Sequence, residues 1–267
     1  MTIVSYVLIT GGSSGIGLEI SKRFAKNGYG LCWVSLYEKE IEEARIELLK
    51  EYPDTVIHHL VQDLAKEDGA RAVLDWIKTD EYDVRVLVNN AGYATYGMST
   101  DIPMEQEVNM INLNVLNLFM MTRLFLNYLN QKEKGTIINI SSSTSFQPVP
   151  RMAAYAATKA FVAHYSQALQ EELKEQKSKV KVITICPAAI KDTKFKIAAN
   201  MDNVKTFEGL QATTKAEVAD DVWKAFTKGL TYYKTGAQLR RTTWITKLLP
   251  KSIILKLMKD ELSEIEK

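Results

Sequence analysis

Short apolar runs rich in β-branched residues alternate along the chain with longer stretches in which apolar positions recur every three or four residues. The short runs, near Val4–Ile9, Gly30–Val34, Val56–Leu60, Val84–Val88, Thr136–Ile140 and Val180–Ile185, predict β-strands. Helical spacing covers Gly15–Asn27, Glu38–Glu51, Gly69–Lys78, Met104–Leu129, Tyr155–Glu175 and Lys215–Gly229. In Glu38–Glu51, for example, Ile41, Ala44, Leu48 and Leu49 share one side and Glu and Lys fill the other, as in a helix lying on a sheet. Strand and helix in strict alternation predict an α/β fold: right-handed crossovers building a doubly wound parallel sheet with helices on both faces. Linkers, low-complexity tracts and internal repeats are absent, so residues 1–267 read as a single domain.

Composition narrows the class. Hydrophobic residues at 46% and charged residues at 25% belong to an ordinary globular protein that can bury a large core. A net charge of +2 does not suggest a nucleic-acid partner. Cys32 and Cys186 each lie inside an apolar run, which predicts buried, reduced thiols and a cytoplasmic location. The three histidines lack metal-ligand spacing, so no metal is expected. The N-terminal run has no basic leader and reads as the first strand, and no stretch reaches the length of a membrane span.

The first strand runs into TGGSSGIG, Thr10–Gly17, which opens directly into a helix. Gly11, Gly15 and Gly17 permit a tight turn and close approach of the backbone, at Ser13, Ser14 and Ile16, to a diphosphate seated on the helix N-terminus. That context fits a Rossmann-type nucleotide site, with an ordinary glycine-rich βα turn as the alternative, and the spacing departs from G-x-G-x-x-G. Further along, Tyr155 and Lys159 stand four residues apart, so their side chains share one helix face. An ammonium near a phenol favours the phenolate and would draw Tyr155 toward useful acid/base range.

Asp63-Leu64 after the third strand, VNNAG at 88–92, INISSS at 138–143 and YAATK at 155–159 occur in a fixed order, with Ser142 thirteen residues before Tyr155. Over nearly its whole length the chain resembles the short-chain dehydrogenase/reductase family, and the FQPVP and YAATKAF wording resembles a bacterial branch of unassigned substrate. The resemblance implies an NAD(P)-dependent oxidoreductase that moves a hydride between a nicotinamide cofactor and a carbonyl or alcohol. It makes Tyr155 the general acid/base, has Ser142 bond the substrate oxygen, and has Lys159 hold the nicotinamide ribose. It implies that Asn114 retains a water in a proton relay, with Asn112 and Asn117 as competing choices. Asp63 and Leu64 would face the adenine, the backbone around Asn90, Ala91 and Gly92 the cofactor, and Pro187 and Ile190 the carboxamide.

Two segments depart from the family pattern. Ser35-Leu36-Tyr37 closes the second strand, with neither the Asp that selects NAD nor the Arg that selects NADP. Ser35 as a phosphate donor, with Lys39 in reach, tilts the reading toward NADP. After the sixth strand, CPAAIKDT has Ala188 in place of the usual glycine and Thr193 one position late, leaving the role of Thr193 open.

Residues 188–214 are expected to form the substrate loop, and Tyr93, Tyr96, Met98, Phe146, Val149, Met152, Phe195 and Met201 an apolar lining. Residues 242–267 read as an amphipathic helical tail that covers this loop or contacts another subunit, in preference to a membrane surface. The two long helices resemble those through which the family pairs, implying a homodimer or homotetramer. Two other functions fit the same fold: a non-catalytic cofactor-sensing regulator, and an epimerase or lyase that recycles its nicotinamide.

Overall fold

The computed structural model describes residues 5–193, 195–199, 201, 204–207, 212–246 and 249–263. Val4, part of the expected substrate loop and part of the expected tail lie outside the described residues.

Seven strands form one parallel sheet in the order β3-β2-β1-β4-β5-β6-β7. They are β1 (Tyr6–Thr10), β2 (Gly30–Ser35), β3 (Ile57–Val61), β4 (Val84–Asn89), β5 (Gly135–Ile140), β6 (Val180–Cys186) and β7 (Tyr232–Lys234). Period-two alternation distributes each strand between two cores. Val7, Ile9, Trp33, Val86 and Ile138 pack on one face beneath α1 (Gly15–Lys26), α2 (Glu38–Glu51) and α8 (Lys215–Lys228). Leu8, Cys32, Val34, Leu87 and Ile137 pack on the other beneath α3 (Gly69–Thr79), α5 (Leu118–Gln131) and α6 (Ala153–Glu175). Because both faces are buried, the central strands read as unbroken apolar runs; all six residues of β2 are buried. Each fully buried Leu, Ile or Phe contributes roughly 1.5–3 kcal/mol.

Three elements differ from the sequence expectation. The predicted helix Met104–Leu129 is divided into α4 (Met104–Ile111), a π-helical turn at Asn112–Asn117, and α5. Apolar spacing runs through the wide turn without a break, which hides it from periodicity, yet it carries Asn114 into the interior. Strand β7 was not predicted: three residues between Gly229 and Gly236 give too short a pattern, and it forms by pairing Thr184, Ile185 and Cys186 with Tyr232, Tyr233 and Lys234. The C-terminal region is two helices, α9 (Ala237–Thr246) and α10 (Lys251–Glu261), the second beginning immediately after Pro250, where a fixed φ and missing N–H favour a helix start.

Between the cores lies a buried polar junction. Asn89 and Asn139 face each other across β4 and β5. The Asn89 amide donates to Thr122 Oγ1 at 3.1 Å and to Asn139 Oδ1 at 2.8 Å, and the Asn139 amide donates to Ser166 Oγ at 2.9 Å. Two central strands are thereby locked to α5 and α6, just below the loops that leave the carboxyl edge. Replacing Asn139 by alanine strands a buried donor on Asn89, so urea unfolding should show a loss of about 1–3 kcal/mol; unchanged stability would contradict this role.

Candidate active site

Strand order reverses direction between β1 and β4, which opens a crevice at their carboxyl ends. The two loops that meet there are stitched together through Thr10 and Asn90. Thr10 Oγ1 accepts from the N–H groups of Asn90 and Ala91, both at 3.0 Å, while the Asn90 amide donates to the carbonyls of Thr10 at 3.0 Å and Gly11 at 3.3 Å. The Asn90 side chain therefore shapes the glycine turn from below. In the sequence Thr10 is only the first residue of the glycine motif, and no role is read for it there.

The turn itself leaves no room for side chains. A Cβ on Gly17 would stand 2.0 Å from the Gly11 carbonyl oxygen, and Gly15 holds a φ of +55° that disfavours any L side chain. Helix α1 starts at Gly15 behind Ser14, whose side chain makes no capping bond, and its first turn has no acidic residue. The N–H groups of Gly15, Ile16 and Gly17 thus lack intrahelical partners and gather the positive end of the helix dipole. Such a cradle fits the diphosphate of a dinucleotide. Ser13 is tied down: its hydroxyl donates to Ser35 Oγ at 2.8 Å, and both residues are buried.

Other predicted contacts lie around this crevice. Asp63 Oδ1 accepts the Ala65 N–H at 2.9 Å, turning the chain after β3, and Leu64 is buried beneath. Pro187 uses its carbonyl to accept the Ser143 N–H at 2.7 Å. Around Ile190, the Thr213 N–H donates to the Ala189 carbonyl at 2.8 Å and the Lys191 N–H to the Thr213 carbonyl at 2.9 Å. In a parallel bridge of this kind the middle residue, Ile190, directs its own N–H and C=O to the opposite side. Thr193 Oγ1 comes within 4.0 Å of the position of a Cβ on Gly15, so this loop returns over the glycine turn despite its changed spacing.

Ser142 follows β5, Tyr155 and Lys159 share a face of α6, and Asn114 comes from the π turn. These four, remote in sequence, converge. The Ser142 hydroxyl lies near enough to that of Tyr155 to lower its proton affinity, and it accepts the Thr144 N–H at 3.2 Å. Lys159 Nζ donates to the Ile140 carbonyl at 3.1 Å and lies 5.8 Å from the Tyr155 ring centroid. A Cβ on Gly92 would sit 2.7 Å from Asn114 Oδ1 and 3.6 Å from Lys159 Nζ, so the Gly92 backbone joins the same cluster. Asn114 spends its amide on the Tyr93 backbone, accepting the N–H at 3.3 Å and donating to the carbonyl at 2.9 Å. Of the three asparagines weighed for this position, Asn114 is the one brought beside Gly92 and Lys159.

Burial dominates the electrostatics. It pushes the Tyr155 hydroxyl up to about 12, opposed by the neighbouring Ser142 hydroxyl, and brings the Lys159 ammonium down to about 8, opposed by Cys186. The expectation that the ammonium would draw the phenol downward is therefore not met in this geometry. Desolvation penalises the charged form of both groups and is the largest cause of each shift. Tyr155 is a buried phenol that keeps its proton at neutral pH, and Lys159 changes charge close to physiological pH.

Above Tyr155 lies an apolar cluster with Ala94, Met110, Val149, Met152, Met201 and Leu262, joined by Tyr93, Tyr96 and Phe195. The Phe195 ring is 5.8 Å from that of Tyr155. Two residues expected in the lining stand apart: Met98 is 59% exposed, and Phe146 lies beneath Lys234, 4.9 Å from the ring. The tail closes this cluster through a link that sequence did not reveal. Tyr96 donates its hydroxyl to the Leu262 carbonyl at 2.7 Å, and Arg151 donates to the Tyr96 oxygen at 3.0 Å. A separate cavity of about 520 Å³, lined by Arg45, His58, Trp76 and Tyr82, lies beside the start of β3, at the sheet's opposite edge from Tyr155. His59 hydrogen-bonds Glu38 at 3.0 Å, and with Glu42 these residues bring three ligand-type atoms within 4.8 Å of one another at an exposed corner.

Residues 5–203 match the short chain dehydrogenase family, and the chain belongs to it. The very-long-chain 3-oxoacyl-CoA reductase of Rattus norvegicus is 33% identical over 177 residues, covering 64% of this chain and 55% of that protein. The chloroplastic chlorophyll(ide) b reductase NOL of Oryza sativa subsp. japonica is 31% identical over 219 residues, covering 80% of this chain and 64% of that protein. The chain thus spans a little over half the length of the 3-oxoacyl-CoA reductases it matches. Among solved structures, a short-chain dehydrogenase from Sphingobium yanoikuyae in complex with NADPH superposes with a TM-score of 0.79 at 28% identity, over 99% of this chain and 98% of that one. A family member from Burkholderia phymatum in complex with NAD shares the fold, with a TM-score of 0.78 at 19% identity over 100% of both chains.

Proposed function

We propose that the chain is an NAD(P)-dependent oxidoreductase that reduces a carbonyl or oxidises the corresponding alcohol. The observation that carries this reading is the convergence of Ser142, Tyr155 and Lys159 beside an uncapped helix N-terminus at the sheet's switch point. Gly11–Gly17, the backbone of Asn90–Gly92 and of Pro187–Ile190, Asp63, Leu64 and Lys159 would hold the dinucleotide. When bound, the dinucleotide supplies or accepts the hydride. Ser142 holds the substrate oxygen by a hydrogen bond, and Tyr155 delivers the proton that the developing alkoxide takes up. A phenol held protonated suits the reducing direction. Protonated Lys159 supplies positive charge next to that alkoxide, and Asn114 fixes the wall formed by Tyr93.

No carboxylate stands at residues 35–37, and exposed Lys39 follows on the next turn, which favours NADPH over NADH. The apolar cluster around Tyr155 favours a substrate with a hydrophobic body, in keeping with relatives named for very-long-chain 3-oxoacyl-CoA and chlorophyll(ide). Residues 188–214 would serve as the substrate loop, with the tail covering it through Leu262. Val108, Ile111, Leu116, Phe119 and Phe161 present exposed apolar side chains on α4, the π turn, α5 and α6, which supports pairing of two copies through this face into a homodimer or homotetramer. Buried, unpaired Cys32 and Cys186 support a cytoplasmic location. No helix among the described residues is long and apolar enough to cross a membrane.

Tyr155→Phe should lower turnover of any accepted ketone by about 10²–10⁴-fold, read from consumption of reduced nicotinamide, with NADPH giving the lower KM; undiminished turnover excludes the assignment. The pH profile gives a second test. Because Lys159 titrates at about 8 and Tyr155 at about 12, carbonyl reduction should hold below pH 8 and fall as Lys159 loses its proton above it. Lys159→Arg, which keeps its charge, should lose that break; a profile with the same alkaline break in both proteins contradicts the role given to Lys159.

A further inference from the structure

Thr158 stands on α6 three residues after Tyr155 and one before Lys159, and only 3% of it is exposed. Its hydroxyl carries a single proton, which it donates to the Tyr155 carbonyl at 2.7 Å. The oxygen is left as an acceptor, and the Asn114 amide donates to it at 3.3 Å. The direction of both bonds follows from that one proton: a hydroxyl committed to a carbonyl has only lone pairs to offer Asn114.

Asn114 needs such a partner. It is 1% exposed, and its primary amide brings two N–H groups into a place where an unpaired donor is costly. One N–H meets the Tyr93 carbonyl at 2.9 Å, and Thr158 takes the other. The Asn114 Oδ1 accepts the Tyr93 N–H at 3.3 Å and lies against Gly92, beside Lys159 Nζ. A continuous chain of hydrogen bonds therefore runs from the backbone of Tyr93, in the loop after β4, through Asn114 and Thr158 to the backbone of Tyr155. It crosses from the π turn at Asn112–Asn117 to α6, and so joins the wall at Gly92 to the helical turn that carries both Tyr155 and Lys159.

We propose that Thr158 is a positioning residue for the reaction: it holds Asn114, and through it the Gly92–Tyr93 backbone, in register with Tyr155 and Lys159. The proposal rests on the oxidoreductase reading of this site. Without the Thr158 hydroxyl, the second Asn114 N–H loses its acceptor and the amide must shift to find another. That shift carries the Gly92–Tyr93 wall with it, and a displacement of about 1 Å in such a site costs about 10²-fold in rate.

Thr158→Val keeps the branched shape and removes the hydroxyl. Ketone reduction with NADPH should then lose about 10- to 100-fold in kcat, while the KM for NADPH stays unchanged because the glycine turn is untouched. Thr158→Ala should show the same loss, and it serves as the test if the valine protein does not fold. Thr158→Ser, which keeps both the donor and the acceptor, should return kcat to near the parent value. In an Asn114→Ala background, Thr158→Val should reduce kcat little further, since the two residues act as one unit. An undiminished kcat in Thr158→Val overturns the proposal, and so does an equal loss in Thr158→Ser. Crystal structures of the parent and Thr158→Val proteins give a reading independent of turnover: the Asn114 side chain should leave its place beside Gly92, and an unmoved Asn114 overturns the proposal. A parent protein that turns over no ketone or alcohol with either nicotinamide cofactor would refute the oxidoreductase reading, and the crystallographic comparison would still decide whether Thr158 holds Asn114.

Discussion

All seven strands run the same way, so every loop that leaves a strand's carboxyl end emerges on one edge of the sheet. This constraint brings together residues that the chain keeps far apart. The glycine turn after β1, Asn90–Gly92 after β4, Ser142 after β5 and Pro187–Ile190 after β6 all open onto that edge. Parallel pairing in turn demands that both faces of the sheet be covered, which the two apolar cores achieve through alternate residues of each strand. The site is a by-product of how the core must be built, and it is held by a few polar contacts that the core buries.

Those contacts have distinct duties. Thr10 and Asn90 join the two loops at the switch point and shape the turn whose free N–H groups await an anion. Asn89, Asn139 and Ser166 anchor the strands just beneath. Lys159 is fastened by the Ile140 carbonyl, which fixes the ammonium between Gly92 and Tyr155 at the expense of its own charge: the burial that positions it also brings it down to about 8. The same desolvation keeps Tyr155 protonated. Positioning and proton affinity are thus two results of one packing arrangement, and substitutions that admit water would shift both groups together.

Much of this was legible in the sequence because the carriers are local. Six strands could be placed from β-branched runs, the glycine turn from its position between strand and helix, and the pairing of Tyr155 with Lys159 from a spacing of four. What escaped depends on distance or on subtle geometry. The three residues of β7 acquire their conformation from β6. The π turn at Asn112–Asn117 preserves the apolar rhythm while changing which side chains face inward. The bond from Tyr96 to Leu262 spans most of the chain, and no local pattern encodes it. Even the sign of the Tyr155 shift was out of reach, because the i, i+4 spacing reveals the neighbouring ammonium but not the depth at which both groups are buried.

A crystal structure of the protein with NADPH is the most direct trial. The diphosphate should lie on the N–H groups of Gly15–Gly17, with the nicotinamide end beside Lys159, Tyr155 and Ser142. A dinucleotide seated anywhere else, or a clear separation of those three side chains, would contradict the site described above.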